Sequence, residues 1–140
     1  MKKYNCLILL YIFIISSCAV KKTTEDKNQL NGTWELNYIS GPRIAFEGLY
    51  PNQKPQLTFD VASNKLYGNT SCNSLSGALV ISDNRIDFNA PMALTKRFCE
   101  GQGEQLFLES LKKSTRYSIN QSTLTLLIDD VAIMRFTKKP

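Results

Sequence analysis

The sequence has 140 residues, four cysteines and no histidine, and its formal net charge at pH 7 is +5. A chain of this length accommodates one domain, and the absence of histidine excludes the common Ser-His and Cys-His nucleophile pairs. Basic residues are interspersed with acidic ones and do not alternate with aromatic residues, so the composition gives little support to nucleic-acid binding.

The first 17 residues have the layout of a secretory signal. Lys2 and Lys3 precede an apolar run over residues 6–15, and the small residues Ser16 and Ser17 follow it. The run is too short for a permanent transmembrane helix, which needs about 20 apolar residues. This order of charged, apolar and small segments predicts a signal peptide over residues 1–17.

The end of this signal, Ile15-Ser16-Ser17-Cys18, resembles a bacterial lipobox. We therefore expect cleavage before Cys18 and acylation of that cysteine, since two or more acyl chains anchor a protein stably. A plain secretory signal with a nearby cysteine is the alternative. Ala19 is not the aspartate that typically retains lipoproteins in the inner membrane, so we expect the outer membrane, with the periplasmic or surface face left open.

The four cysteines have different expected fates. Cys6 leaves with the signal and Cys18 carries lipid, so Cys72 and Cys99 remain as a pair in an oxidising compartment. A disulfide between them is favoured and would contribute roughly 3 to 4 kcal/mol, and two free buried thiols are the alternative. Because there is no histidine and no Cys-x-x-Cys motif, zinc has less support. We expect no metal and no cofactor.

The mature chain is interpreted as a lipidated, flexible tether over residues 18–29 and a mainly β domain over residues 30–140. Apolar and polar residues alternate over residues 57–61, before a turn at 63–64, which is typical of a half-buried strand. Further hairpins are predicted across the turns at 82–84 and 129–130.

One helix is predicted between residues 100 and 113. Phe107, Leu108 and Leu111 fall three and four positions apart, which places them on one face. Glu100 and Glu104 lie towards its start and two lysines lie at its end, as the helix dipole favours. These charges are interpreted as a solvent-exposed face without a catalytic role.

Three motifs follow one another in the domain. They are Gly32-Thr33-Trp34-Glu35-Leu36, Gly68-Asn69-Thr70-Ser71-Cys72-Asn73, and Met92-Ala93-Leu94-Thr95-Lys96-Arg97-Phe98-Cys99 followed by the helix. The ordered set resembles the META domain family, which includes the HslJ-like bacterial lipoproteins, and covers nearly the whole mature domain. The resemblance implies a compact α+β fold, with an antiparallel, barrel-like β-sheet and one packed helix.

Two residues depart from the family pattern. Ser71 stands where the family usually has glycine before the cysteine, and Phe98 stands where a smaller residue is common. If the family uses a positive φ at that glycine, we expect either that Ser71 bears strain or that the chain bends differently there.

No catalytic residue is predicted. Carboxylate pairs could act as acid and base, but the candidates lie in predicted turns or solvent faces: Asp60, Asp83, Asp87, Glu100, Asp129 and Asp130. Asn73 is interpreted mainly as a turn residue that could also hold a loop through side-chain hydrogen bonds to the backbone. Trp34 is interpreted as a core residue rather than a ligand platform, and its buried ring NH needs a partner.

These observations favour a non-enzymatic, lipid-anchored envelope protein that acts by protein interaction in envelope integrity or in stress and drug tolerance. A carrier of a small apolar ligand is the alternative, since small β-barrels can enclose one. A core filled by Leu57, Phe59, Leu126 and Phe136 would leave no room for such a ligand. An inhibitor of envelope proteases ranks last.

Overall fold

A computed structural model describes residues 27–140 of the chain. Within this range there are three helices: α1 (Lys27–Leu30), α2 (Phe46–Leu49) and α3 (Gly103–Lys113). There are ten strands in the same range: β1 (Gly32–Ile39), β2 (Gln56–Asp60), β3 (Lys65–Asn69), β4 (Ser74–Ala78), β5 (Val80–Ser82), β6 (Arg85–Asp87), β7 (Met92–Leu94), β8 (Arg116–Asn120), β9 (Thr123–Ile128) and β10 (Val131–Lys138).

The ten strands form one antiparallel sheet that curls into a half-barrel, which confirms the predicted fold class. Their order across the sheet is β5-β6-β8-β9-β10-β1-β2-β3-β4-β7. Only Leu79 separates β4 from β5 in the sequence, although the two strands lie near opposite ends of this order. The chain itself therefore links the two sides of the curled sheet.

All three predicted hairpins are present. They join β2 to β3, β5 to β6 and β9 to β10, and each turn contains an Asn or Asp with positive φ: Asn64 at 52°, Asp83 at 54° and Asp129 at 53°. Asn and Asp tolerate this backbone region better than other residues with a Cβ. A further hairpin joins β8 to β9 through Gln121, whose φ is 54°.

The inward faces of the strands form one apolar core that α3 covers. Trp34 of β1 is fully buried, as are Phe107 and Leu111 of the helix. The rings of Phe107 and Phe136 meet edge to face, with their centroids 6.5 Å apart. The four core residues named from the sequence are each at most 1% exposed: Leu57, Phe59, Leu126 and Phe136.

Helix α3 starts at Gly103, three residues later than predicted, so Glu100 precedes it. Phe107 and Leu111 are buried as expected from their spacing, while Leu108 is only half-buried. Gly103 packs closely against the end of α2, because a Cβ there would lie 2.5 Å from the backbone oxygen of Leu49. Helices α1 and α2 have four residues each, too few for apolar spacing to reveal them.

The predicted signal peptide and Cys18 lie outside the described residues. Helix α1 begins at Lys27, so it occupies the last positions of the predicted tether. No helix within residues 27–140 is long and apolar enough to cross a membrane.

Candidate functional site

The disulfide between Cys72 and Cys99 ties the β3–β4 turn to the segment that follows β7. The two Cα atoms are 6.0 Å apart, and the residues are separated by 27 positions in the sequence. This is the pairing that the count of cysteines favoured. Both residues are partly exposed, at one end of the β3–β4 hairpin.

Asn73, next to the disulfide, connects three parts of the chain. Its side-chain oxygen accepts hydrogen bonds from the backbone NH of Arg97 and from the hydroxyl of Thr95, both at 2.8 Å. Its amide nitrogen donates to the backbone oxygen of Arg97 at 3.1 Å and to Oε1 of Glu104 at 3.0 Å. Asn73 is 3% exposed. The side chain of Asn73 therefore holds the 95–97 segment through the backbone NH and the backbone oxygen of Arg97.

Glu104, in the first turn of α3, completes this network. Its carboxylate accepts hydrogen bonds from the amide of Asn73 and from the hydroxyl of Thr70. Thr70 is fully buried, and its Oγ1 also accepts a bond from the backbone NH of Asn73 at 2.9 Å. The interpretation of Glu104 as part of a simple solvent-exposed face is thus incomplete, because its carboxylate links α3 to the β3–β4 turn.

Ser71 lies in the same turn with a φ of 83°. Its backbone NH donates to Oδ1 of Asn69 at 3.0 Å. A positive φ suits glycine and costs energy for a residue with a Cβ. The strain expected from the replacement of the family glycine is therefore present at this position.

Phe98 lies between the residue held by Asn73 and the disulfide cysteine. Its side chain is 90% exposed. The two residues that precede it, Lys96 and Arg97, are also exposed. The second departure from the family pattern thus places a large apolar side chain in solvent.

Trp34 lies apart from this network, in the interior of the half-barrel. Its ring NH donates to the backbone oxygen of Leu30 at 2.7 Å, which supplies the partner that burial requires. The ammonium of Lys138 lies 5.0 Å from the ring centroid, within the range of a cation–π contact. This arrangement ties α1 and β10 to β1.

Of the six carboxylates considered for acid and base chemistry, five lie at strand ends or in hairpin turns and one lies before α3. Asp60 ends β2, Asp87 ends β6, Asp83 lies in the β5–β6 turn, Asp129 and Asp130 form the β9–β10 turn, and Glu100 precedes α3. Hydrogen bonds from the side chain and backbone of Ser63 lower the pKa of Asp60, and those from the backbone and side chain of Asn89 lower the pKa of Asp87. Lowered pKa values keep both groups ionised at neutral pH, which is unsuitable for a general acid.

The pKa of Tyr50 is also shifted. Burial raises the pKa of its phenol to about 12. The hydroxyl donates to the backbone oxygen of Gly103 at 3.0 Å, where α2 meets the start of α3.

One set of possible metal ligands occurs within residues 27–140. The ligand atoms of Cys72, Cys99 and Glu104 lie within 4.8 Å of one another. The two sulfurs are bonded to each other, however, and metals bind thiolates. With the disulfide formed, the carboxylate of Glu104 is the one metal ligand left in this set, and it already accepts hydrogen bonds from Thr70 and Asn73.

Sequence reasoning identified Asn73 and the disulfide but missed Thr70, Thr95 and Glu104 as their partners. The bond from Asn73 to Glu104 spans 31 positions. Strand alternation and helical spacing describe neighbours within one element, so they carry no signal for a contact between a turn and a helix. The short distance in sequence between Cys99 and Glu104 was the available clue.

Solved structures with the same fold are known. One is an NMR structure of a protein from Burkholderia xenovorans, with 18% identity, 80% of this chain and 85% of that chain covered, and a TM-score of 0.62. Another is the crystal structure of a DUF4847 family protein from Bacteroides vulgatus, with 15% identity, 79% and 96% coverage, and a TM-score of 0.54. At these identities the similarity concerns the fold alone.

A sequence relative is one of the subunits of the ATP-dependent helicase/deoxyribonuclease of Lactococcus lactis, 27% identical over 124 residues. The match covers 84% of this chain but only 11% of that much larger protein. No activity of the larger protein is inferred for this chain. The META domain model matches residues 27–140, which include every helix and strand described above. The chain therefore belongs to the META domain family.

Proposed function

We propose that this chain is a lipid-anchored, non-enzymatic protein of the bacterial envelope, which acts by protein interaction in envelope integrity or in stress and drug tolerance. The observation that carries the proposal is a lipobox-like segment ending in Cys18, a few residues before a META domain. An anchor followed by a short linker and one small domain holds that domain near a membrane surface, where it can meet other proteins.

The disulfide supports an envelope location. Disulfides persist in oxidising compartments such as the periplasm and the cell surface and are rare in the cytosol. Cys72 and Cys99 are partly exposed, so a reducing environment would have access to the bond. An exported domain keeps such a bond intact.

The non-enzymatic part of the proposal rests on the chemistry of the side chains. The sequence contains no histidine to activate a serine or cysteine nucleophile. Asn73, Thr70 and Glu104 bond to one another in the oxidised domain. These groups are used to hold the β3–β4 turn, the 95–97 segment and α3 together.

The carrier hypothesis has less support, because the half-barrel interior contains the large side chains that would exclude a ligand. Leu57, Leu126 and Phe136 are fully buried, and Phe59 is 1% exposed. No buried side-chain nitrogen or oxygen within residues 27–140 lacks a hydrogen-bond partner. An apolar ligand in the interior would therefore compete with these side chains for space.

The anchor is tested by Cys18→Ala, with Cys6→Ala as the matched control in the apolar run. We expect Cys18→Ala to abolish incorporation of labelled fatty acid and to release the domain from the membrane fraction, while Cys6→Ala leaves both unchanged. A Cys18→Ala protein that remains labelled and membrane-bound would overturn the proposed anchor. The protein interaction is tested by crosslinking in cells and by deletion of the chain. If crosslinking captures no protein and the deletion leaves envelope stress tolerance unchanged, the proposed interaction function is overturned.

A further inference from the structure

The segment of residues 96–98, which we call the tip, presents an apolar side chain to solvent. Phe98 is 90% exposed, more than any other large apolar residue within residues 27–140, where Val131 follows at 66%. Leaving a phenylalanine in water forfeits the stabilisation that its burial would give. Large aromatic side chains placed this way are common anchors of protein interfaces.

The tip is held by its neighbours. Both backbone groups of Arg97 bond to the buried amide of Asn73, at 2.8 and 3.1 Å. On the other side of Phe98, Cys99 is fixed by its disulfide to Cys72. The backbone is therefore ordered before any partner binds, which lowers the entropic cost of association.

The charges of the tip indicate the chemistry of its partner. Lys96 and Arg97 are exposed, and the ion pairs within residues 27–140 are Arg116 with Asp130 and Lys139 with Glu35. Neither Lys96 nor Arg97 is in one of these ion pairs, and together they outnumber the one exposed carboxylate that follows Phe98 closely, Glu100. An apolar pocket with carboxylates at its rim would complement both the aromatic ring and the charges.

The tip and the start of the described chain lie at opposite ends of β3. The β2–β3 turn lies at one end of β3, and residues Lys27, Asn28 and Asn31 line a surface cleft with Val61 and Asn64 of that region. The β3–β4 turn, which the disulfide ties to the tip, lies at the other end of β3. Strand β3 has five residues and separates the two ends by roughly 15 Å. Lys27, the first described residue, therefore lies near the end of β3 opposite the tip.

We propose that the tip docks into a partner protein, which receives Phe98 in an apolar pocket and pairs Lys96 and Arg97 with acidic residues around it. This inference rests on the proposed interaction function and identifies the surface that performs it.

The test is photocrosslinking of the full chain in cells. The photoreactive residue p-benzoylphenylalanine replaces Phe98 in one variant and Val131, at the β9–β10 turn, in the control. We expect a discrete protein adduct at position 98 that is absent at position 131. Adding Lys96→Glu and Arg97→Glu should lower the yield of this adduct at least about fivefold, because the reversed charges repel an acidic rim.

Binding to the protein identified by that adduct provides the quantitative test. Phe98→Ala should weaken the affinity roughly 10- to 100-fold, since it removes one buried aromatic anchor, and Val131→Ala should leave it unchanged. Both variants should retain the melting temperature of the parent, because both side chains are exposed.

Three outcomes would overturn the inference: a lipid adduct at position 98, a protein adduct that charge reversal does not reduce, or no adduct at position 98. If position 131 or a general crosslinker captures a protein while position 98 does not, the interaction function stands and only the docking surface is wrong. If no crosslinker captures any protein, the interaction function itself fails, and the test of Cys18 remains independent of both results.

Discussion

The side-chain amide of Asn73 lies 3.0 Å from Oε1 of Glu104 and joins the β3–β4 turn to the first turn of α3. The same amide group also bonds to both backbone groups of Arg97. One buried side chain thus determines the relative positions of a turn, an exposed segment and a helix. The disulfide acts on the same turn and segment covalently.

Removal of the Glu104 carboxylate tests this network. Glu104→Ala removes the charged acceptor that the buried hydroxyl of Thr70 and the amide of Asn73 share, and each donor group keeps one backbone acceptor, the oxygen of Asn73 or of Arg97. We expect the free energy of unfolding to fall by about 1 to 3 kcal/mol, as for the loss of hydrogen bonds to a charged group. Urea unfolding of the purified protein measures the change.

Glu109→Ala is the matched control for that substitution. Glu109 lies on the same helix, is exposed and bonds only to Gln105 in the structure. Its removal should change stability by less than about 0.5 kcal/mol. Equal effects of the two substitutions would show that the network does not account for the loss.

Replacement of Ser71 by glycine should stabilise the protein. Ser71 has a φ of 83°, and glycine adopts this conformation without the steric cost of a Cβ. Relief of strain of about 1 to 3 kcal/mol outweighs the additional backbone entropy of glycine in the unfolded chain, about 0.5 to 1 kcal/mol. We expect a net gain near 1 kcal/mol, seen as a higher urea midpoint with an unchanged slope.

Ser74→Gly is the control for that substitution, and we expect it to destabilise the protein. Ser74 begins β4, is exposed and has an ordinary negative φ, so only the entropic cost of glycine applies. This variant should lose about 0.5 to 1 kcal/mol. Destabilisation by Ser71→Gly of the same size would mean that the turn bears no strain.

The sequence predicted those parts of the fold that are encoded by neighbouring residues. The β2–β3 hairpin follows from the alternation over residues 57–61 and a turn containing Asn64, and α3 follows from the spacing of Phe107 and Leu111. Strand β8 was missed, although Tyr117 and Ile119 alternate with polar residues. The turn that joins β8 to β9 has Gln121 in the position with positive φ. A glycine or asparagine at this position would have marked the hairpin in the sequence.

The contacts around Asn73 could be predicted only in part. The residue type and its place beside a cysteine indicated hydrogen bonds to a loop. The identity of the loop depends on the pairing of β4 with β7, and the role of Glu104 depends on where α3 packs. Both are consequences of the folded sheet rather than of local sequence.

Gly68 occupies a position where a side chain does not fit. A Cβ at this residue would lie 2.2 Å from the backbone oxygen of Gln56 in the adjacent strand β2. Because the obstacle is backbone of a paired strand, it cannot move without breaking the β2–β3 pairing. Gly68→Ala should therefore cost about 3 kcal/mol, at the upper end of the range for overpacking.

Gly77→Ala is the comparison within the same sheet. The nearest atom to a Cβ there is Cγ of Met92, at 2.9 Å, which can move by rotation about χ1, and the nearest backbone atom is the oxygen of Pro91, at 3.3 Å rather than 2.2 Å. The loss should be about 1 kcal/mol. Thermal and urea unfolding of the two variants would contradict this explanation if Gly77→Ala proved the more damaging.

The phenol of Tyr50 should make stability depend on alkaline pH. Burial raises its folded-state pKa to about 12, above its ordinary value near 10, so the folded state favours the neutral phenol. The corresponding stabilisation is fully present below pH 10 and is lost as the pH rises through the folded pKa. Tyr50→Phe should remove this dependence on alkaline pH and, at neutral pH, cost about 1 kcal/mol through loss of the hydrogen bond to Gly103.

Absorbance at 295 nm, where tyrosinate absorbs, measures the titration directly. The difference between parent and Tyr50→Phe spectra should show one phenol that ionises near pH 12 while the protein is folded, and near pH 10 when both are unfolded in urea. A difference spectrum centred on pH 10 in the folded protein would mean that solvent reaches the hydroxyl. In that case the contact between α2 and the start of α3 opens readily, and Gly103→Ala, whose Cβ would clash with Leu49 and Tyr50, should cost less than about 1 kcal/mol.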